Sequence, residues 1–201
     1  IGEQEINSSL SSGSPGSLAD DCAKAGGLNQ AQFSKIQQLQ GSYQSAAAKA
    51  GLPWETLAAV HFRESNNSAQ GSFISGRPIG TPEPDQGGRI YQSFQESLDH
   101  GAQILKNKTG GQLGGTTSQP VIIKDAFFGY NGRADVYKRQ ATERGWNGET
   151  EGYEGSPYST NNLDQRHRDL RLIQRDHGGL GGIDRRVGAY VIYLGLKQGS
   201  A

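Results

Sequence analysis

Glu64 ends an apolar helical face, a position where a carboxyl group is separated from water. Residues 52–65 have a proline near the start, followed by apolar residues at helical spacing. One predicted face follows the i, i+3, i+4, i+7 pattern and consists of Leu57, Val60, His61 and Glu64. Because an apolar face points into the protein, the Glu64 carboxyl is expected to lose water, and desolvation raises a carboxyl pKa. A carboxyl that stays protonated near neutral pH can act as a general acid.

Two plainer interpretations of this helix remain open. Glu64 can be an ordinary helix-end acid that pairs with Arg63 or another cation, because most acidic side chains are solvated. His61, one helical turn earlier, can either tune the carboxyl or pack as a core histidine. The helix alone favours the ordinary acid, so the motifs elsewhere in the chain decide between these interpretations.

The elements around this helix are predicted to be mainly helical and joined by long loops. Ser93 and Glu96 form a capping-box pattern that starts one helix, and Gly41 is expected to divide the first helix into two pieces. The predicted helices cover residues 30–49, 52–65, 93–106, 120–128, 163–175 and 183–197. The predicted loops cover residues 66–91, 108–119 and 129–162, and the first of them includes a short hairpin around 72–79.

Composition limits the classes of function that the chain can have. Its 201 residues include 20 Lys and Arg against 20 Asp and Glu, so the basic excess of a nucleic-acid binder is missing. The sequence has no apolar run long enough to span a bilayer. We predict a flexible tail or linker over residues 1–25 and one domain over residues 26–199. The chain begins with Ile1 rather than Met, so a signal or anchor upstream remains open.

Two features outside the helices receive no function. Cys22 is the single cysteine and therefore has no partner for an internal disulfide. A catalytic Cys22–His61 pair is conceivable, but a thiol at the edge of a linker is better interpreted as incidental. Residues 135–140 match the translation of a transposon end used in sequencing libraries, and we interpret them as an insertion from that source.

Four short motifs follow one another along the chain. Residues 61–65 read His-Phe-Arg-Glu-Ser, 71–73 read Gly-Ser-Phe, 128–132 read Phe-Gly-Tyr-Asn-Gly, and 156–158 read Ser-Pro-Tyr. In this order they resemble the lysozyme-like superfamily, in particular soluble lytic transglycosylases and related phage and bacterial muramidases. The resemblance implies a mainly α, lysozyme-like helical domain with long glycine-rich loops around a glycan groove.

The resemblance implies catalytic roles for Glu64 and Tyr130. Glu64 is similar to the catalytic acid/base of the family, and Tyr130 to the tyrosine whose hydroxyl lies near that carboxyl. Ser65 would hold the substrate or the glutamate, and Asn131 would contact acetamido groups or brace its loop. Tyr130 can instead be a core tyrosine, and the sequence Asn131-Gly132 independently favours a tight turn.

The resemblance also implies further substrate-binding residues. Ser72 and Phe73 lie in the position of the family's glycine-containing turn, although Ile74 follows where the family has glutamine. Tyr158, with Tyr153 in the same set, would offer a flat ring for stacking on a sugar and a hydroxyl for a hydrogen bond. The alternative for Tyr158 is a proline-fixed turn that packs its ring inward.

The activity implied by the resemblance is cleavage of the MurNAc–GlcNAc β-1,4 bond of peptidoglycan. Glu64 would protonate the leaving oxygen and then deprotonate the muramyl 6-hydroxyl, which closes an anhydro ring, and we favour this route over hydrolysis. Hydrolysis by the usual retaining or inverting routes needs a second carboxyl. Glu83 and Asp85 are the early candidates, but the flanking Pro82 and Pro84 predict a rigid turn that faces solvent.

The remaining expectations concern partners and rival functions. The resemblance implies a monomer that acts on peptidoglycan strands, without cofactor, metal or nucleic acid, in the cell envelope or outside the cell. An attached secretion machine or phage particle is the upstream partner that this setting suggests. One rival is a non-catalytic glycan-binding module on the same fold. Another is a structural helical domain with accidental motifs, in which Glu64 would be exposed and far from Tyr130.

Overall fold

A computed structural model of the chain describes residues 30–115, 119–132, 158–159 and 188–199. This part is mainly helical, which confirms the predicted class. Its helices are α1 (Gln30–Gln38), α2 (Gln40–Ala50), α3 (Trp54–Ser65), α4 (Phe94–Asn107), α5 (Pro120–Tyr130) and α6 (Ala189–Gly199). Residues 1–25, 135–140 and 163–175 lie outside the described ranges, as do Cys22 and Tyr153. Within those ranges, no helix combines the length and apolarity needed to cross a bilayer.

Helix α3 forms the centre of the core. All of its residues from Glu55 to Arg63 are buried, so the helix is covered on every side. Ala58 and Ala59 are fully buried on this helix, and such small side chains let neighbouring helices approach closely. Helices α2 and α6 both pack against α3, α4 packs against α2, and α5 contacts α4 and α6.

The helix boundaries follow local signals for the most part. Ser93 caps α4 by accepting a hydrogen bond from the Glu96 N–H at 3.1 Å, as the capping-box pattern predicts. Gly51 ends α2 in the left-handed conformation, with a φ of 71°. The break in the first predicted helix falls at Leu39 rather than at Gly41, which lies inside α2.

Two later boundaries differ from the prediction. Helix α5 continues to Tyr130, beyond the predicted end at residue 128. Helix α6 begins at Ala189, later than the predicted start at residue 183, because Gly188 is not helical. Both differences concern helix ends, where packing competes with weak local preferences.

The long loop after α3 contains two antiparallel pairings. An isolated bridge joins Gly71 to Pro78 and closes the turn that was predicted around residues 72–79. A second hairpin, which the sequence patterns did not predict, pairs β1 (Pro82–Glu83) with β2 (Arg89–Ile90). A Cβ at Gly71 would lie 2.1 Å from the Gly76 carbonyl oxygen, so the closed turn requires glycine there.

Phe73 ties this turn to α4, and the contact yields a stability prediction. A Cβ at Gly101 of α4 would lie 2.2 Å from Phe73 Cδ1, whereas Gly41 of α2 has no atom within 4 Å. We expect Gly101→Ala to lower the free energy of unfolding by about 1–3 kcal/mol, because the buried ring has to shift. Gly41→Ala, its helical control, should instead raise it by about 0.5–1 kcal/mol. Urea unfolding of both variants checks this, and equal effects would contradict the packing.

Candidate active site

Glu64 lies where the buried helix α3 reaches the surface. Arg63 is still 3% exposed, whereas Glu64 and Ser65 are half-buried. The helix ends directly afterwards, because Asn66 and Asn67 both take left-handed backbone conformations, with φ of 57° and 55°. Glu64 is therefore held by a rigid helix at the boundary between core and water, and its predicted loss of water is only partial.

The hydroxyl of Tyr158 donates a hydrogen bond to Oε1 of Glu64. The Tyr158 ring is 8% exposed, and its carbonyl oxygen accepts a hydrogen bond from the Tyr190 N–H of α6 at 3.0 Å. The ring is therefore packed inward, and it does not offer the exposed face expected for sugar stacking. The sequence patterns did not indicate that this tyrosine binds the candidate acid itself.

Arg63 lies over the ring of the same tyrosine. Its guanidinium carbon is 5.1 Å from the centre of the Tyr158 ring, which is cation–π geometry. Tyr158 therefore contacts two successive residues of α3, Arg63 through its ring and Glu64 through its hydroxyl. This arrangement fixes the tyrosine and keeps a positive charge close to the carboxyl.

Tyr130, the last residue of α5, belongs to the same group of side chains. Burial raises the pKa of the Tyr130 phenol well above its usual value, and the negative charge of Glu64 is the next cause. Tyr158, Tyr91 and Glu83 act on the Tyr130 pKa in the same direction. A phenol that stays protonated remains a hydrogen-bond donor. In addition to Tyr158, Glu64 therefore has the Tyr130 phenol in its surroundings.

Ser72 and Phe73 lie beneath the surface instead of lining it. The Ser72 hydroxyl donates to the carboxylate of Glu83. The Phe73 ring is fully buried and lies 5.4 Å from the His61 ring and 6.3 Å from the Tyr130 ring, centre to centre. Both side chains are therefore buried beside the candidate site, and Phe73 packs against Tyr130.

Ser65 and Asn131 lie at helix ends beside the candidate acid and phenol. The Ser65 hydroxyl turns back onto its own helix and donates to the His61 carbonyl at 3.5 Å. Asn131 caps α5, with its N–H bonded to the Phe127 carbonyl at 3.1 Å, and Gly132 follows with a φ of 92°. The tight-turn interpretation of Asn131 and Gly132 is therefore confirmed, and the contact of Ser65 and Asn131 with substrate stays a prediction.

Glu83 corrects one expectation from the sequence. The flanking prolines predicted a turn that faces solvent, but Glu83 is 2% exposed, whereas Asp85 is exposed. Both Ser72 and Ser75 donate hydroxyl hydrogen bonds to its carboxylate. The pair Gly87-Gly88, both with positive φ, is a hairpin signal that could have revealed the alternating burial of β1.

His61 is a neutral core histidine. Its Nε2 lies 3.2 Å from the Ser68 carbonyl, which can only accept, so Nε2 carries the proton and Nδ1 accepts from the Tyr43 hydroxyl at 2.7 Å. The Asn67 side chain donates to the Tyr43 oxygen and to the Ala58 carbonyl, both at 3.0 Å. These bonds favour the packed-histidine interpretation over a role in tuning Glu64.

The described residues contain no cluster of three or more His, Cys, Asp or Glu side chains that could hold a metal ion. No protein-family model, curated protein or solved structure matches this chain. The function therefore has to be inferred from the geometry of Glu64 and its neighbours.

The buried His61 predicts a pH-dependent stability. Burial lowers the pKa of His61 from 6.5 to about 4, so the unfolded chain binds more protons than the folded one between these pH values. We expect the contribution of His61 to the free energy of unfolding to be fully present above pH 6.5. This free energy should fall by roughly 3 kcal/mol as the pH drops to about 4. Urea unfolding from about pH 4 to 7 measures this. In His61→Gln, this contribution to the slope of the free energy of unfolding against pH should disappear. An unchanged slope would contradict the assignment of His61 as a neutral, buried histidine.

Proposed function

We propose that this chain is a lysozyme-like enzyme that cleaves the MurNAc–GlcNAc β-1,4 bond of peptidoglycan, with Glu64 as acid/base. The observation that carries the proposal is the hydrogen bond from the Tyr158 hydroxyl to Glu64, directly after the buried stretch of α3. Such a carboxyl is partly desolvated, oriented by a phenol and still close to the surface. These are the properties that a general acid for glycosidic-bond cleavage needs.

Two further observations support the proposal. Glu64 is half-buried and acts electrostatically on Tyr130, whereas a structural domain with accidental motifs would have the carboxyl exposed and distant from that phenol. Tyr130 and Tyr158 are the tyrosines of the last two sequence motifs, and both phenols converge on the first motif. Convergence of residues from distant motifs is what a shared site requires.

The proposed reaction uses one carboxyl group twice. Protonated Glu64 donates its proton to the glycosidic oxygen as the bond to the muramyl carbon breaks. The resulting Glu64 carboxylate then accepts the proton of the muramyl 6-hydroxyl, whose oxygen attacks the same carbon and closes the anhydro ring. The Tyr158 hydrogen bond stabilises the carboxylate between these two steps.

The setting of the reaction follows from its substrate. Glycan strands of peptidoglycan are the proposed partner, and the chain acts on them as a monomer, without metal or cofactor, in the cell envelope or outside the cell. A polymer substrate needs an extended groove, and we propose that the glycine-rich loops form its walls. Attachment to a secretion machine or a phage particle would bring the enzyme to the wall.

Glu64→Gln tests the acid/base assignment directly. We expect this variant to fold and to lose turnover of purified peptidoglycan by roughly 100- to 10,000-fold, because the amide cannot transfer the proton. Mass spectrometry of the digest should show anhydro-muramyl products for the wild type. Asp85→Asn, which neutralises an exposed carboxyl in the loop after α3, is the control and should keep full activity. Glycan binding without product, equal in wild type and Glu64→Gln, would instead identify a non-catalytic binding module.

Tyr158→Phe tests the hydrogen bond while keeping the ring on Arg63. Loss of a donor to the carboxylate raises the pKa of the acid. Because the acid must be protonated to act, we expect the alkaline limb of the pH–activity profile to move to higher pH. Tyr193→Phe, a change in another buried tyrosine whose ring packs on Phe127, is the control and should leave the limb in place. If the alkaline limb lies at the same pH in both variants, Tyr158 does not affect the pKa of the catalytic acid.

A further inference from the structure

Glu83 is a buried carboxylate that the proposed reaction does not use. It is 2% exposed, and within the described residues no cation forms an ion pair with it. Its hydrogen-bond donors are the hydroxyls of Ser72 and Ser75, the latter at 2.8 Å from Oε1 and 2.7 Å from Oε2. Burial of a carboxylate is costly, so its presence here calls for a physical reason.

The two hydroxyls connect Glu83 to the backbone of the turn formed by residues 71–78. Ser72 Oγ accepts from the Ser75 N–H at 3.3 Å, and Ser75 Oγ accepts from the Arg77 N–H at 3.3 Å. Each hydroxyl accepts from a backbone N–H and donates to the carboxylate, so a movement of the carboxylate would also displace the backbone of the turn. Glu83 on β1 is therefore connected to the backbone of this turn through the two serine hydroxyls.

The same turn contacts both sides of the candidate active site. The Phe73 ring packs edge-on against Tyr130, with 6.3 Å between ring centres. A Cβ at Gly76 would lie 3.5 Å from the Ser65 side chain, so the turn also approaches the residue that follows Glu64. A displacement of the turn would therefore move Tyr130 relative to the end of α3.

We propose that Glu83 is a positioning residue for the Glu64 site, on which it acts by holding the turn of residues 71–78 through the two serine hydroxyls. The inference rests on the proposed function for its kinetic consequences. A second contribution of Glu83 is electrostatic, because its negative charge, like that of Glu64, bears on the Tyr130 phenol. Tyr130 is therefore held in place by packing and kept protonated by burial and charge.

Glu83→Gln separates these contributions from simple folding, and Asp85→Asn is its matched control on the same hairpin. The substitution at Glu83 keeps the shape of the side chain while it removes the charge and one acceptor oxygen. We expect kcat on peptidoglycan to fall on the order of 10- to 100-fold with little change in KM, because the catalytic groups are misplaced. Asp85→Asn should leave both constants unchanged.

The pH–activity profile supplies a readout that a merely structural role would not move. In the part of the chain that the structure describes, the titratable or charged groups close to Glu64 or its phenols include Arg63 on α3, Tyr130 on α5, Tyr158, Tyr91 and Glu83. Removal of one negative charge from this group lowers the pKa of the acid. The alkaline limb should therefore move to lower pH in Glu83→Gln, opposite to Tyr158→Phe. An unmoved limb with unchanged kcat would overturn the proposal.

Amide hydrogen exchange distinguishes failure of this inference from failure of the proposed function. The N–H groups of Ser75 and Arg77 should exchange faster in Glu83→Gln than in Asp85→Asn, because their hydroxyl acceptors lose the carboxylate. If the wild type releases no product, the proposed function fails, and faster exchange still supports Glu83 as the residue that holds the turn. Equal exchange in both variants would overturn that role whatever the activity.

Discussion

Complete burial of the middle of α3 is the constraint on which the rest of the structure depends. The successive residues from Glu55 to Arg63 have almost no contact with water, so neighbouring helices have to cover every face. Glu64 is the first residue after this stretch that reaches the surface. The helix therefore delivers a carboxyl group to the boundary of the core on a rigid support, which limits its motion far more than a loop would.

The groups around Glu64 come from segments that are distant in sequence. Tyr158 lies 94 residues further along the chain, Tyr130 ends α5, and Glu83 belongs to the hairpin. Each is fixed by a different interaction: Tyr158 by the Arg63 guanidinium, Tyr130 by the Phe73 ring, and Glu83 by serine hydroxyls. Phe73 lies in the same turn as the serines that bind Glu83, so the supports of Tyr130 and Glu83 are linked, whereas the contact between Tyr158 and Arg63 is separate from them.

Sequence patterns predicted the parts of the structure that depend on local preferences. The helical face ending in Glu64, the cap at Ser93 and the glycine at the end of α2 all follow from spacing and residue type. The hydrogen-bond partners of Glu83 could not be predicted this way, because Ser72 and Ser75 reach its carboxylate only in the folded chain. Likewise, the Ser-Pro-Tyr motif indicated a turn but not which residue its tyrosine hydroxyl would bind, since that contact is made only in the folded chain.

The charges in the site discriminate between classes of reaction. Acyl and phosphoryl transfer develop negative charge in the transition state and are accelerated by converging donors and cations. Cleavage of a glycosidic bond develops positive charge on the sugar ring, which carboxylates stabilise. The negative charges of Glu64 and Glu83 both raise the pKa of the Tyr130 phenol. The Arg63 guanidinium lies over the Tyr158 ring. Once Glu64 has donated its proton, the carboxylates of Glu64 and Glu83 outnumber the Arg63 guanidinium among these groups. This balance of charge agrees better with the sugar cation of the proposed glycan cleavage than with an oxyanion.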